Sequence, residues 1–287
     1  MQREGPAERV RFEDFSPLWQ PFAPDIVCGL FFVAARTLEP RLEFWAIRAD
    51  LTEPLLEVVV SGGGGEWAED QAVSNVVPSA RVSSFVREYG GLAGINTVPF
   101  HPVSAREGEK RICVGVVVSA GALVSLPVYG YDALVFYNDG RAAIVSQKEI
   151  GDLGGVETAV GGFRIVLYNG ELPGRLLSGA GTARHDTPRH PRSAAGLSAC
   201  GNVLYLLVID GRRSASIGAT EAETGLILKK LGAAYGLNFD GGGSSVMALR
   251  FPDGRVRAIN TPMHGGVPGR ERAVAASLGI RVLAAGL

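Results

Sequence analysis

The sequence has few of the residues that build metal centres and disulfides. Three of its 287 residues are cysteine, and Cys28, Cys113 and Cys200 stand far apart in apolar surroundings. The paired spacings on which zinc sites and redox motifs depend are absent. The four histidines also lack the His-x-x-x-His spacing of zinc hydrolases. We therefore expect buried free thiols, no metal site and no cofactor.

An excess of charge of one sign and long apolar runs are also missing. Against 28 Lys and Arg stand 29 Asp and Glu, and no basic block interrupts this balance. Nucleic-acid binding needs such a block to neutralise phosphates, so nucleic acid is not an expected partner. The first long apolar run, residues 26–35, is too short to cross a bilayer and follows no basic segment. The sequence predicts neither a membrane span nor a signal peptide.

Glycine, by contrast, is abundant, and it lies in turns between short apolar segments. The chain has 39 glycines, about twice the usual share of ~7%. The turns predict hairpins that pair 112–118 with 122–126, 133–137 with 141–146, 193–199 with 203–209 and 246–251 with 255–259, and a further strand at 164–168. The pattern predicts an α+β fold of mostly antiparallel, curved β-sheets built from hairpins.

Two segments have the pattern of amphipathic helices. In residues 79–90 the apolar side chains share one face, with Ser79 as the expected N-cap and Gly90 as the terminator. The second begins with a capping box at Thr220 and ends at Gly232. We expect one domain over residues 26–287, with residues 1–25 as a loosely attached arm. The glycine-rich segment 61–65 is interpreted as a surface loop without a function.

The most unusual segment is Leu-Asn-Phe-Asp-Gly-Gly-Gly-Ser-Ser, residues 237–245. Three consecutive glycines weaken a strand or a helix, but they let a ligand approach the main chain and let N–H groups converge on an anion. The segment has neither the lysine of a Walker A loop nor the G-x-G-x-x-G spacing. A simple glycine-rich turn is the alternative. Asp240 favours chemistry, because a carboxylate at a strand end beside an anion loop is poorly placed for packing.

Three other segments have the same character. Residues 189–196 set His190 and Arg192 before a strand, residues 208–213 end a strand with Asp210 and Arg212, and residues 94–102 carry Asn96 and Thr97. Surface ion pairs and an Asp-Gly turn are the alternatives for these residues.

Together these motifs resemble the phosphodiester glycosidase domain family. The resemblance covers roughly residues 85–285. It rests on His190-Pro-Arg, strand-Asp210-Gly-Arg, a helix that starts at threonine, Asn238-Phe-Asp-Gly-Gly-Gly-Ser-Ser and the closing Glu271-Arg272 segment. This chain differs after Asn96, where Thr-Val-Pro-Phe stands in place of the family's small residues and two aromatics.

The resemblance implies a hydrolase that cleaves the bond between a sugar anomeric carbon and a phosphodiester, releasing sugar and a phosphomonoester. The hypothetical phosphate ligands are Arg192 and the loop Gly241, Gly242, Gly243, Ser244 and Ser245, with Arg212 or Arg272 as a second clamp. Asp240 and Asp210 are the candidate carboxylates at the anomeric carbon, as nucleophile, base or acid. Asn96, Thr97, His190 and Glu271 complete the site. Relatives imply a periplasmic or cell-surface location in a bacterium.

Two alternatives remain open. One is a phosphosugar or glycan binding module without turnover. The other is a serine hydrolase using Ser244 or Ser245, although a G-x-S-x-G elbow is absent. From the family resemblance, we expect Asn96, His190, Arg192, Asp210, Asp240 and the glycines to converge in one cleft where four loops meet.

Overall fold

The computed structural model describes residues 8–61, 73, 75–150, 153–178, 183 and 187–283. The glycine-rich segment predicted to be a surface loop lies, apart from Ser61, outside these residues. The strands are β1 (Gln20–Pro21), β2 (Leu30–Arg36), β3 (Glu43–Asp50), β4 (Leu56–Val60), β5 (Val76–Pro78), β6 (Ala93–Asn96), β7 (Phe100–His101), β8 (Lys110–Cys113), β9 (Val117–Ser119), β10 (Ala122–Ser125), β11 (Asp132–Tyr137), β12 (Ala142–Ser146), β13 (Val156–Gly161), β14 (Arg164–Leu167), β15 (Arg192–Leu197), β16 (Val203–Ile209), β17 (Tyr235–Asn238), β18 (Met247–Arg250), β19 (Val256–Ala258) and β20 (Ser277–Val282). The helices are α1 (Val82–Glu88) and α2 (Glu221–Leu231), and short 3₁₀ turns occupy Gly174–Leu176, Gly242–Ser244 and His264–Gly266.

The strands form four sheets. A seven-stranded sheet has the order β1-β2-β3-β16-β15-β17-β14, and two five-stranded sheets have the orders β10-β9-β13-β11-β12 and β19-β18-β6-β20-β4. A three-stranded sheet, β5-β8-β7, completes the set. Neighbouring strands in these sheets run antiparallel. The predicted α+β class with mostly antiparallel sheets and two helices is confirmed.

The seven-stranded sheet is buried on both faces. Along β16, Leu206 and Val208 belong to the main core, which also takes in the sheet that contains β6. Leu207 and Ile209 point to the opposite face and pack in a second core with α2. This alternation follows from the two-residue period of a strand, and burial on both faces explains why β16 reads as a continuous apolar run.

Helix α2 forms as its sequence predicts. The hydroxyl oxygen of Thr220 accepts a hydrogen bond from the backbone N–H of Glu223, and the carboxylate of Glu223 accepts one from the backbone N–H of Thr220. Gly232 ends the helix in the left-handed region at φ 110°. The helix packs against β14, β15 and β17.

Helix α1 forms in the predicted segment, but the prediction of Ser79 as its N-cap is wrong. The helix begins after Arg81, whose side chain makes no capping bond. Ser79 instead donates from its hydroxyl to the carbonyl of Arg106 at 3.1 Å. The expected terminator, Gly90, follows the helix at φ 67°.

Of the predicted hairpins, β11–β12, β15–β16 and β18–β19 are confirmed. The fourth is shorter than predicted, because β9 pairs with β10 while Ile112 belongs to β8 in another sheet. Near the N-terminus, β1 pairs with β2, and Phe15 and Phe22 are buried.

The cysteine prediction is wrong in part. All three cysteines are free, as expected, but Cys28 and Cys200 are exposed and only Cys113 is buried. In the described part of the chain no helix is long and apolar enough to cross a membrane.

Candidate active site

The glycine segment joins two sheets. It starts at the end of β17 in the seven-stranded sheet and leads into β18 in a five-stranded sheet. Residues 240–245 form what we call the glycine loop, with a 3₁₀ turn at Gly242–Ser244. The backbone N–H of Asp240 donates to the carbonyl of Thr97 at 2.8 Å, so the end of β6 lies against the loop.

Each glycine of the loop has its own reason to lack a side chain. A Cβ on Gly241 would stand 2.9 Å from the carbonyl oxygen of Pro191. Gly242 has φ +63°, and a Cβ there would meet the Arg212 guanidinium at 3.0 Å. On Gly243, a Cβ would lie 2.6 Å from Nη2 of Arg272. The glycines therefore let two guanidinium groups rest directly on the main chain.

The loop has fewer backbone N–H groups free to bind an anion than its sequence predicts. The amide of Gly241 donates to Oδ1 of Asp240 at 3.0 Å, and that of Gly242 donates to the carbonyl of Pro191 at 2.9 Å. The amides of Ser244 and Ser245 donate back to Gly241 and Gly242. In the loop, Gly243 is the residue whose N–H has no partner among the described residues. An anion here would meet one free amide and depend mainly on arginines.

Arg272 is held by two hydrogen bonds. Its Nε donates to Nδ1 of His264 at 3.0 Å, and its Nη1 donates to the hydroxyl of Ser244 at 3.0 Å. Partial burial lowers the pKa of Arg272, and the charge of Asp240 acts in the opposite direction. Arg212 adds like-charge repulsion. Nη2 of Arg272, beside Gly243, makes no hydrogen bond to the described residues and is the free end of the guanidinium.

Asp240 is the carboxylate that faces this arginine. Its side chain is partly exposed. Burial raises its pKa, while a hydrogen bond with Ser244, the charge of Arg272 and the N–H of Gly241 lower it. Because burial has the largest effect, Asp240 titrates above an ordinary aspartate.

Arg212 and His190 lie on another side of the loop. Arg212 is exposed, with φ 59° at its backbone, and its guanidinium covers Gly242. Partial burial lowers the pKa of His190, and the charges of Arg192 and Arg212 lower it further. The imidazole is therefore biased toward its neutral form.

Arg192 contacts the loop, but its guanidinium makes its hydrogen bonds to residues outside the loop. Its Cδ lies 4.0 Å from the position of a Cβ on Gly241. Nε donates to the carbonyl of Ala219 at 3.0 Å and Nη2 to that of Pro188 at 3.3 Å. The side chain is 9% exposed, so it ties the start of β15 to the segment that precedes α2.

Asn96 is a buried connector. Its Nδ2 donates to the carbonyl of Asp240 at 2.7 Å, and its Oδ1 accepts from the hydroxyl of Ser193 at 2.6 Å and from the N–H of Val246 at 3.1 Å. Thr97 is also buried and donates from its hydroxyl to Ala276. Both residues fix the loop, and neither is open to a ligand here.

Asp210 comes close to the loop but is 1% exposed. Oδ2 accepts from Nη1 of Arg213 at 2.6 Å, and Oδ1 accepts from Nδ2 of Asn260 at 3.1 Å. Asn260 also donates to the carbonyl of Ser245 at 3.0 Å, which links Asp210 to the glycine loop. Burial raises the pKa of Asp210 to about 6 against these donors. Its carboxylate is enclosed by protein groups.

Two predicted site residues, Glu271 and Ser245, form no hydrogen bond with the site arginines among the described residues. Glu271 accepts from the N–H and hydroxyl of Ser83 in the first turn of α1. Ser245 is buried, and its hydroxyl has no hydrogen-bond partner among the described residues. The remaining predicted residues that lie around the loop are Asn96, Thr97, His190, Arg192, Arg212, Ser244, Asp240, Arg272 and the glycines. Asp210 reaches the loop only through Asn260.

Three contributors escaped the sequence analysis: Arg213, Asn260 and His264. Asn260 bonds to Asp210, fifty residues away, which no local motif reveals. Arg213 bonds to Asp210 from three residues away and lies in the predicted segment 208–213, so its position beside the Asp-Gly-Arg motif was the signal. His264 had a weak signal, because it precedes two glycines in the segment Met-His-Gly-Gly just before the predicted Arg272. No group of three or more His, Cys, Asp or Glu side chains within the described ranges is placed to hold a metal ion.

The chain belongs to the phosphodiester glycosidase family, whose model matches residues 89–281. No curated protein sequence matches the chain.

Three solved structures have similar folds. The catalytic domain of zebrafish N-acetylglucosamine-1-phosphodiester α-N-acetylglucosaminidase, auto-inhibited by its pro-peptide, is 20% identical, with a TM-score of 0.62 over 96% of this chain and 87% of that one. A hypothetical protein from Synechocystis is 13% identical (TM-score 0.56; 89% of this chain, 62% of that one). A Burkholderia pseudomallei protein whose name suggests export is 15% identical (TM-score 0.56; 84% and 74%).

Proposed function

We propose that this protein hydrolyses the bond between a sugar anomeric carbon and a phosphodiester, and that Arg212, Arg272 and the glycine loop bind the phosphate. The observation that carries the proposal is the position of the two guanidinium groups on Gly242 and Gly243, beside Asp240. The family supports the reaction class.

The charges of the site support an anionic ligand. Burial is the main cause of the lowered pKa of Arg272, and repulsion by Arg212 lowers it further. A phosphodiester between them would relieve this repulsion and accept hydrogen bonds from the free Nη2 of Arg272 and the N–H of Gly243. Glycine at both positions leaves room for the two guanidinium groups against the loop.

In the proposed reaction, the bond between the anomeric carbon and the phosphate oxygen breaks, and its electron pair leaves with the phosphate. Water supplies the hydroxyl that ends on the sugar and the proton that ends on the phosphomonoester or in solvent. The arginines stabilise the negative charge that the leaving phosphate gains. Asp240 acts on the anomeric carbon, either as a nucleophile in a retaining reaction or as the base for water in an inverting one.

Asp210 has a different proposed role. Because its carboxylate is enclosed by Arg213, Asn260 and Thr261, we assign it to positioning the glycine loop through Asn260. His190 and Arg192 then border the site. Asn96 and Thr97 position the loop through hydrogen bonds to the backbone of Asp240.

The experiment is a turnover screen against sugar-1-phosphodiesters, including fragments of cell walls and capsules, with release of reducing sugar as the readout. Release of sugar together with a phosphomonoester supports the proposal. The matched control is Asp240→Asn, which keeps the shape of the site. Equal release by this variant and the wild type would contradict the assignment.

The alternative is a binding module for phosphosugars or glycans. It is favoured by the replacement after Asn96, where Thr97 is buried and bonded to Ala276. Such a module would be stabilised thermally by phosphosugars and would release no sugar. The serine hydrolase is less well supported, because Ser244 accepts from Arg272 and the nearby His264 bonds to that arginine instead. A periplasmic or cell-surface location remains part of the proposal, since one structural neighbour has a name that suggests export.

A further inference from the structure

His264 occupies a place that the proposed reaction does not use directly. It opens the 3₁₀ turn His264–Gly266, and its Cα would lie 3.3 Å from a Cβ on Gly243. Its Nδ1 accepts the hydrogen bond from Nε of Arg272 at 3.0 Å. On its other side, Arg272 bonds to Ser244, which in turn bonds to Asp240. A single chain of contacts thus runs from His264 through Arg272 to the candidate reacting carboxylate.

The hydrogen bond fixes the state of the imidazole. An arginine has no acceptor, so Nδ1 must carry a lone pair and the ring must be neutral with its proton on Nε2. The charges that face the ring are those of Arg272 and Arg270, while the glycine loop packed against it contributes uncharged backbone at Gly243. Partial burial and then both arginines lower the pKa of His264.

The bond also fixes the direction of the guanidinium. Nε and Nη1 are both occupied, which leaves Nη2 as the end that faces Gly243. Without an acceptor at His264, the side chain would keep one bond, to Ser244, and could rotate about it. Small misplacements of a group that stabilises charge are costly, about 10²-fold for ~1 Å.

We propose that His264 is a positioning residue that uses neutral Nδ1 to aim Arg272 at the bound phosphate. The inference rests on the proposed function for its kinetic consequences, but anion binding tests it separately. Protonation of Nδ1 breaks its hydrogen bond with Arg272. The orientation of the guanidinium is therefore kept above the pKa of His264 and lost as the pH falls through that pKa.

The test compares His264→Asn, His264→Gln and His264→Ala. Asparagine places its amide oxygen near the position of Nδ1 and keeps an acceptor for Arg272, whereas glutamine extends toward Nε2 and alanine removes the acceptor. The probe is inorganic phosphate, measured by calorimetry at pH 7.5, with thermal unfolding as the check on folding. His101→Asn is the matched control, because His101 is exposed on β7.

We expect the alanine and glutamine variants to bind phosphate about tenfold or more weakly than the wild type, and the asparagine variant to retain the affinity within about threefold. In turnover assays, the activity of the wild type should fall with decreasing pH as steeply as two titrating groups, Asp240 and His264, require. The activity of the asparagine variant should fall less steeply, as expected for one titrating group.

Three results would overturn the inference. They are unchanged phosphate affinity in folded His264→Ala, equal losses in the alanine and asparagine variants, and no phosphate binding by the wild type. If the wild type binds phosphate with this pattern but releases no sugar from any phosphodiester, the positioning role stands and the proposed function fails.

Discussion

Each glycine of the loop is required by a different neighbour: a carbonyl for Gly241, a guanidinium and a left-handed backbone for Gly242, and a second guanidinium for Gly243. The sequence could indicate that this segment binds an anion. It could not show which amides remain free. In the fold, the N–H of Gly241 donates to Asp240 and the N–H of Gly242 donates to Pro191. The bond of Gly242 depends on Pro191, which lies in a distant segment of the chain.

Gly243→Ala should separate the anion site from the fold. Its Cβ would displace the unbonded Nη2 of Arg272, which lies 2.6 Å away, and would stand 3.3 Å from the Cα of His264, without requiring a left-handed backbone. We expect the free energy of unfolding to fall by about 1 to 3 kcal/mol. Phosphate affinity should fall about tenfold or more.

Gly254→Ala is the matched control for that substitution. Gly254 has φ +77° and nothing within 4 Å of an added Cβ, so alanine there meets backbone strain but no neighbour. It should lower the free energy of unfolding by about 1 kcal/mol and leave phosphate binding unchanged. If Gly243→Ala binds phosphate as well as Gly254→Ala does, the guanidinium of Arg272 is not the anion ligand.

Asp240→Asn should separate binding from chemistry. Removing the carboxylate removes a negative charge beside the anion, so phosphate should bind as well as in the wild type or more tightly. The value of kcat should fall by about two to four orders of magnitude. Single-turnover kinetics and calorimetry measure the two effects, and a near-normal kcat would exclude Asp240 from the reaction.

The pH dependence of the wild type provides another test of Asp240. As nucleophile or base, the carboxylate must be ionised, and burial raises its pKa above the ordinary 3.8. The value of kcat should therefore fall as the pH drops through a value higher than that of a typical aspartate. A rate that is flat down to pH 3.8, or that rises on acidification, would contradict this role.

At the scale of elements, the site assembles where the ends of β6, β15, β16 and β17 meet. Sequence patterns predicted β15 and β16 as a hairpin, because their apolar runs and turn residues are local signals. They placed Asp240 at a strand end, but they did not predict β6. Side-chain direction at the strand ends was not predictable. Asp210 ends β16 with an Asp-Gly-Arg motif, yet its carboxylate turns to Arg213 and Asn260 instead of a cleft.

The N-terminus of α1 is a second case in which the local sequence did not predict the hydrogen-bond partners. Serine before an apolar run is a normal N-cap signal, but Glu107 and Glu271 accept from the N–H groups of Arg81 and Ser83 instead. Both carboxylates come from distant segments. The capping box of α2 was predictable because its two partners, Thr220 and Glu223, are three residues apart.

Gly225→Ala tests how α2 sits on the sheet. In an isolated helix this change stabilises by about 1 kcal/mol. Here an added Cβ would overlap the carbonyl oxygen of Val166 on β14. We expect a net loss of about 1 to 3 kcal/mol in chemical denaturation. Lys229→Ala, which removes an exposed ion pair with Glu171, should be close to neutral, and a stabilised Gly225→Ala would show that the helix stands away from β14.

At the scale of the whole molecule, the loop links the seven-stranded sheet to a five-stranded one, and the main core lies between them. Ala195 and Leu237 come from the first sheet, and Ile95, Met247 and Leu278 come from the second. The geometry of Asp240 and the arginines therefore depends on how two sheets pack. Similar folds at 20% identity or less are consistent with a core that tolerates substitution while packing is kept.

The position of bond cleavage tests the central claim most directly. With a sugar-1-phosphodiester that the screen identifies, hydrolysis in ¹⁸O-enriched water is followed by mass spectrometry of both products. Cleavage between the anomeric carbon and oxygen predicts ¹⁸O in the released sugar and none in the phosphomonoester. Label in the phosphate would mean attack at phosphorus, and the account of Asp240 and the arginines as a glycosidase site would then be wrong.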